Sequence, residues 1–282
     1  MHFSRFTALT LSAIALPFIA LAQTPAAAPA AAAAPSTAPI TRAELPALVK
    51  EALMNEPEMI MQAVQKMREK QQAEAEKKTT ESIAANKAGL FNDTDSPSVG
   101  DEKTADITIV EFFDYHCGYC KHMLPTITQL LKDDKKVRVV FKEFPILSED
   151  SALAARAAVA VNRIAKDKYF AYHTALMKHE GKYEEINLLE MAQKEGIDSA
   201  KLKAEMAKPE VTAVLDKMRK LGEDIGVRGT PAIVMNDHFL PGAADVDEMK
   251  RMIANVRAGR KPDDNGTAPA AAPAAAAPAK AN

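Results

Sequence analysis

Only two cysteines, Cys117 and Cys120, occur among 282 residues, and tryptophan is absent. Sulfurs this close in sequence cannot staple distant parts of a fold, so the pair is reagent rather than scaffold. Charge of one sign is not in excess either, with 36 lysines and arginines against 38 acidic residues. No long basic block offers a footprint for nucleic acid, which is therefore not an expected partner. An uninterrupted apolar run of membrane-spanning length is also missing. The stretch from Ala8 to Leu21 is broken by Pro17, and a bilayer span needs about 20 residues. His2 and Arg5 precede that stretch, and Ala20 and Ala22 close it with small-x-small spacing. This pattern reads as a secretory signal peptide over residues 1–22, cut after Ala22. No cysteine follows the cut, which excludes a lipid anchor there, and the mature protein is expected to be soluble.

Residues 23–39 are nearly all alanine and proline, and residues 263–282 return to that composition. Dense prolines keep the alanines from forming a helix, so both stretches are expected to be extended, disordered linkers without chemistry. Asn265 opens a glycosylation-like triplet, a match that arises easily by chance.

Residues 40–89 have helical composition. Thr41 and Glu44 fit a capping box, with Ile40 and Leu45 as a hydrophobic staple, and Asn55 and Glu58 fit the cap of a second helix with Pro57 in its first turn. Leu45, Leu48, Val49, Ala52 and Leu53, then Met59, Ile60, Ala63, Val64 and Met67, fall at helical spacing. So short a segment cannot bury a core alone. Its stripe needs either the main domain or other copies of itself, although it is shorter than an ordinary coiled coil. Residues 68–87 would then be a solvated helix or a flexible arm. The methionines read as adaptable packing rather than metal ligands.

From Leu90 the signals change. The run 106–113, DITIVEFF, suits a buried strand, and the following segment has helical spacing through Met123, Ile127, Leu130 and Leu131. Residues 136–144 form a second strand. Strand, helix and strand with short joins predict a parallel pair and an α/β domain over residues 90–262. Residues 148–222 read as inserted helices, with segments at 151–165, 169–179, 186–196 and 211–226. Strands at 231–236 and 238–242 flank a turn at Asn236 and Asp237, and residues 245–259 close as a helix.

On this reading Cys117 ends a strand and Cys120 lies in the first turn of the next helix, so the sulfurs face each other. Unpaired N–H groups at a helix start favour a thiolate. Cys117 is therefore the expected nucleophile and Cys120 the resolving thiol, with the disulfide between them as the redox centre and no other cofactor. Glu111, six residues earlier on an apolar strand, is either a buried base that takes the Cys120 proton through water or a strand-edge glutamate facing solvent. A zinc or copper site from Cys117, Cys120, His116 and His122 is awkward, because adjacent ligands fit one tetrahedral ion poorly. His173 and His179 read as packing or surface residues.

The motif FFDYHCGYC, the helical insert and GVRGTPAIVMNDHFLPGA together resemble the DsbA family of thiol oxidoreductases, with a thioredoxin fold, over roughly Leu90 to Arg260. The resemblance implies a cis bond before Pro231, with Thr230 opposite the cysteines to pair with an extended substrate. His116, Gly118 and Tyr119 would join Thr230 and Pro231 in lining the substrate site, and Glu111 would occupy the family's buried acidic position. Strongly oxidising members carry a histidine between the cysteines, where this chain has Gly118 and Tyr119. That difference, with Thr230 before the proline, is similar to the isomerase DsbC and implies a less oxidising disulfide.

ScsC-like members carry an N-terminal helical segment that makes trimers, so residues 40–89 are expected to assemble several copies, three rather than two. Tethered sites let a second thiol catch what the first releases. The implied activity is protein-disulfide isomerisation in the periplasm on unfolded or misoxidised exported proteins. A membrane thiol reductase of DsbD or ScsB type, or an oxidase of DsbB type, would set the redox state. The rival readings are a DsbA-like oxidase, and a non-catalytic protein that holds clients or copper.

Overall fold

The computed structural model describes residues 41–264. The expected signal peptide, the 23–39 linker, Ile40, Asn265 and the rest of the tail lie outside the described residues. The chain divides into two compact units, Met1–Met61 and Gln62–Asn282.

In the first unit, helix α1 spans Leu45–Asn55 and has proline in its first turn. The expected capping box forms only in part. The Thr41 amide and hydroxyl both donate to Glu44 Oε2, at 2.9 and 2.7 Å, while the Glu44 amide donates to the Thr41 carbonyl at 3.1 Å. Closing that turn takes Glu44 N–H away from the Thr41 hydroxyl, so the helix starts at Leu45. Asn55 ends α1 rather than capping the next helix, α2 (Glu58–Ala85). Leu45, Leu48, Val49, Met54, Met59, Ile60 and Met61 are all exposed, Met54 to 73%. An open apolar depression of about 610 Å³ is lined by Leu45, Pro46, Val49, Lys50, Leu53, Met54 and Ile60.

The second unit is built on a five-stranded sheet ordered β1-β3-β2-β4-β5. These strands are β1 (Ser98–Val99), β2 (Ile107–Phe113), β3 (Val137–Glu143), β4 (Ala232–Met235) and β5 (His238–Pro241). Strands β2 and β3 run parallel, with Ile107 opposite Val137 and Phe113 opposite Glu143, joined by helix α4 (Gly118–Asp133). Strand β4 is antiparallel to β2, and Asn236 at φ 54° turns it into β5. Asparagine tolerates that left-handed backbone better than most residues.

Between β3 and β4 lie helices α5 (Glu149–Ile164), α6 (Tyr169–Lys178), α7 (Glu185–Lys194), α8 (Ser199–Met206) and α9 (Pro209–Asp224), and α10 (Val246–Arg257) follows the sheet. The α/β thioredoxin fold with a helical insert, expected from sequence, is the observed one.

Alternation along the strands gives the sheet two apolar faces. Ile109, Phe113, Val139, Phe141 and Ile233 pack with Met123 and Ile127 of α4, with the insert helices and with Met249 and Ile253 of α10. On the other face Val110, Phe112, Val140 and Val234 pack with Leu90, Leu221, Ile225 and Ile83. Ile83 belongs to α2 and Leu90 to the short helix α3 (Lys87–Phe91), so the segment leading into the domain contributes to its core.

That segment is also tied by charge. The fully buried Lys142 ammonium of β3 donates to the Gly89 carbonyl at 2.6 Å and the Ser96 hydroxyl at 2.5 Å, and pairs with Asp93 at 3.3 Å. Lys217 of α9 holds the other Asp93 oxygen at 2.6 Å. Burial pulls the Lys142 ammonium down to about 8, against the attraction of Asp93.

Candidate active site

Cys117 is the residue before α4, with extended backbone at φ −71° and ψ 113°. That position turns the chain from the end of β2 into the helix and sets its sulfur where the first N–H groups are unpaired. Both cysteines are thiols. Cys117 is 7% exposed and Cys120 1%. The Cys117 thiol donates to the Thr230 carbonyl at 3.1 Å. Thr230 precedes Pro231 through a cis peptide bond. Arg228, Gly229, Thr230, Pro231, Phe239 and Pro241 line a cleft of about 320 Å³ beside that loop.

Burial pushes the Cys120 thiol well above its ordinary value. A backbone hydrogen bond from Asp114 works against this, whereas the Glu111 charge and the adjacent Cys117 side chain add to it. Glu111 lies in the middle of β2, between Phe141 of β3 and Ile233 of β4, and is 2% exposed. It is not at a strand edge. Desolvation raises its carboxyl to about 8, so near neutral pH it carries a proton and can exchange it with a neighbour. Gly118 and Tyr119 begin α4, Tyr119 facing solvent, and a Cβ on Gly118 would meet nothing within 4 Å.

His116 is directed toward the insert. Its Nε2 lies 2.6 Å from Asp150 Oδ2 in the first turn of α5. Among the described residues no group of three or more His, Cys, Asp or Glu side chains is arranged to hold a metal ion.

Behind Cys117, Asp114 Oδ1 accepts from the His116 amide at 2.8 Å and the Ser151 hydroxyl at 2.7 Å, and Oδ2 accepts from the amides of Ile146 and Leu147. Tyr115 and Tyr169 each donate to the buried Glu143 at 3.1 Å, and His173 Nδ1 lies 3.1 Å from the Tyr115 hydroxyl. Burial raises Glu143 well above the usual carboxylate range and drops His173 to about 3. His173 is thus a core residue, while His179 caps the end of α6. The Asp114 clamp, the Glu143 cluster and Asp150 carry no local sequence signal. They join residues 26 to 58 positions apart through the insert.

A dithiol at a strand-to-helix junction, facing a cis proline across a thioredoxin sheet, defines the class of thioredoxin-type dithiol proteins. A family profile, the DSBA-like thioredoxin domain, matches residues 108–254, and the chain belongs to that family. Among solved structures it is similar to a thioredoxin-like oxidoreductase from Silicibacter pomeroyi DSS-3, at 38% identity, covering 61% of this chain and 98% of that one with a TM-score of 0.57. It is also similar to a linker-deletion mutant of ScsC from Proteus mirabilis. That match has 27% identity, covers 79% of this chain and 100% of that one, and has a TM-score of 0.61.

Among curated proteins, disulfide bond formation protein D of Bacillus subtilis is 27% identical over 161 residues, 53% of this chain and 72% of that protein. The chain spans only about a quarter of a curated Na(+)/H(+) antiporter, NhaA 1 of Salinispora arenicola, which it matches at 24% identity over 177 residues, 60% of this chain and 26% of that protein.

Proposed function

We propose that this chain is a periplasmic protein-disulfide isomerase that works by thiol–disulfide exchange. The observation that carries the reading is the Cys117 thiol at the start of α4, within hydrogen-bond distance of the Thr230 carbonyl and in contact with a deeply buried Cys120. In the proposed cycle the Cys117 thiolate attacks one sulfur of a substrate disulfide, forming a mixed disulfide and releasing the other substrate sulfur as a thiolate. That thiolate attacks a different disulfide in the substrate, and the thiolate freed by this exchange attacks the mixed disulfide, forming the rearranged substrate disulfide and releasing Cys117 as a thiolate. When rearrangement stalls, Cys120 gives its proton to the ionised form of Glu111 and attacks the Cys117 sulfur. The substrate leaves reduced and the Cys117–Cys120 disulfide remains. A membrane thiol reductase of DsbD or ScsB type then restores the dithiol.

Isomerase is favoured over oxidase by two features. Gly118 and Tyr119 stand between the cysteines where a histidine would stabilise the thiolate. The exposed stripe of Leu45, Leu48, Val49, Met59, Ile60 and Met67 suits assembly into a trimer with several sites around one space. Unfolded or misoxidised exported proteins are the substrates in this reading, and the leader-like residues 1–22 support the periplasm.

The test is recovery of activity from scrambled ribonuclease by the reduced protein, with sedimentation of the full chain and of a chain lacking residues 23–61. Recovery together with a trimer mass that the deletion lowers supports the proposal. No recovery, alongside rapid oxidation of reduced ribonuclease, assigns the chain instead to oxidase chemistry with a DsbB-like partner, which the likeness to disulfide bond formation protein D favours as the second reading. A Cys117→Ser protein that still protects unfolded clients or binds copper, with neither exchange activity in the native chain, would make it a holding protein.

A further inference from the structure

Strand β5 stands at one end of the sheet, so one of its sides has no neighbouring strand. The Gly242 amide donates to the Pro231 carbonyl at 2.9 Å, Pro241 stands opposite Ala232, and Phe239 stands opposite Val234. In an antiparallel pair, residues that alternate with the bonded ones turn their backbone groups outward. The Phe239 amide and carbonyl and the Pro241 carbonyl therefore point away from β4, along a free edge.

Phe239 and Pro241 also belong to two clefts at once. The cleft beside the cis proline, which holds Thr230, shares both residues with a second cleft of about 470 Å³. Helix α2 makes the far wall of the second cleft, through Gln72, Ala75, Thr79 and Thr80. It reaches the first cleft too, because a Cβ on Gly226 would lie 4.0 Å from the Thr79 hydroxyl. The two clefts form one trough, which begins at the Thr230 carbonyl, 3.1 Å from the Cys117 sulfur, crosses Pro241 and Phe239 and follows the outer edge of β5. Lys261 in its lining pairs with Glu76 at 3.1 Å, and His238 lies 3.2 Å from Asp237. The basic side chains of the second cleft thus already have partners within the protein.

We propose that this trough is a track for an extended segment of the substrate protein, which runs from the Cys117 mixed disulfide past Thr230 and lies along β5 as an added strand, with helix α2 as the opposite wall. Main-chain bonds to a free strand edge are indifferent to the side chains of the segment that makes them. That suits a site whose substrates share only an unfolded, extended chain. The helix before the sheet is then part of the substrate site as well as a tether. The inference rests on the exchange chemistry proposed for Cys117.

The test uses two uncharged peptides whose single cysteine is bonded to thionitrobenzoate. One is a tripeptide, and the other carries about eight residues on each side of the cysteine, enough to cover β5 at about 3.3 Å per residue. Attack of the Cys117 thiolate on the peptide sulfur forms the mixed disulfide, breaks the original S–S bond and expels the coloured thionitrobenzoate thiolate, so colour reads this step. With the reduced full chain, the long peptide should react faster than the tripeptide. Ala75→Arg and Thr80→Arg, at exposed positions of α2 that line the second cleft, should each lower the ratio of long to short rates. The expected drop is on the order of threefold to tenfold, the worth of one net main-chain hydrogen bond. Ala73→Arg puts the same charge on an exposed position of the same helix outside that lining, and should leave the ratio unchanged.

A ratio that Ala75→Arg and Thr80→Arg leave alone, or that Ala73→Arg lowers equally, overturns the proposal. So does a native chain that reacts no faster with the long peptide, the result expected if a second copy or the residues beyond Asp264 fill the cleft. A tripeptide that fails to react at all would overturn the exchange reading instead, a failure the same experiment tells apart.

Discussion

The Cys117 thiol and the Thr230 carbonyl, 113 positions apart in the chain, are joined by a 3.1 Å hydrogen bond. A carbonyl oxygen accepts from a thiol but repels a thiolate. Ionisation of Cys117 therefore frees the Thr230 oxygen for another donor, and the backbone amide of an extended substrate strand is the obvious one. In the proposed exchange chemistry, forming the nucleophile and opening the docking position would thus be one event.

Separating the two sulfurs by mutation follows from their burial. Cys120→Ser should leave an attacking Cys117 with nothing to resolve it, so a mixed disulfide with scrambled ribonuclease should accumulate. Cys117→Ser should accumulate none, because Cys120 is out of reach of a protein disulfide. Non-reducing electrophoresis followed by mass analysis reads both outcomes, and adducts in the Cys117→Ser protein would reverse the assignment of roles.

Glu111 makes a prediction in pH. Its folded value of about 8 lies above the ordinary 4.5. The stability it lends the fold is therefore complete below about pH 4.5 and drains away as pH rises toward 8, because over that range the unfolded carboxyl ionises while the folded one keeps its proton, so unfolding releases a proton. Glu111→Gln removes this titration. Urea melts should show the variant gaining on the native chain from pH 5 to pH 8, by an amount on the order of a few kcal/mol, with the gap levelling above pH 8. The resolving step, followed as release of substrate from the mixed disulfide, should slow roughly 100-fold. A parallel pair of stability curves would show that Glu111 is ionised in the fold.

Gly222 has no room for a side chain. A Cβ there would lie 2.6 Å from the Phe144 ring and 3.2 Å from that of Phe112. Those rings pack edge to face with centroids 5.9 Å apart, so neither can swing freely. Gly222→Ala should destabilise the domain by about 1–3 kcal/mol despite its better helix propensity. A thermal melt that rises instead would mean the pair yields more easily than its packing implies.

Lys142 is the buried cation that fastens residues 89–96 to β3. Lys142→Met keeps the volume but leaves the Gly89 carbonyl and the Ser96 hydroxyl without their donor, while Asp93 retains Lys217. The expected loss is about 3 kcal/mol in denaturant unfolding. Limited proteolysis should open the chain first near residues 85–97, because that segment loses its anchor before the sheet does.

How far the sequence reveals this molecule depends on how local each signal is. The β-branched runs of β2 and β3 and the apolar period of α4 are local, and they locate the cysteine pair at a strand-to-helix junction. Strand β1, two residues long, has no room for an alternating pattern. Helix α8 is too short for a long apolar period, although Asp198 caps it by accepting from the amides of Ala200 and Lys201. Whether Glu111 is buried depends on β4, which arrives more than a hundred residues later to cover the far side of β2. The same holds for Lys142 and Glu143. They are charged residues in a strand whose partners come from α3, from Tyr115 and from the insert. Asp150 looks like any acid in the first turn of a helix, and its reach to His116 is visible only in three dimensions.

One sulfur shields the other. A peroxide diffusing in from solvent can meet Cys117 but not Cys120, which is 1% exposed. The sulfenic acid formed at Cys117 would lie against a thiol already in contact with it, and condensation to the disulfide, with loss of water, would precede further oxidation. In the proposed redox centre, the depth at which the second thiol is stored would thus guard against irreversible damage.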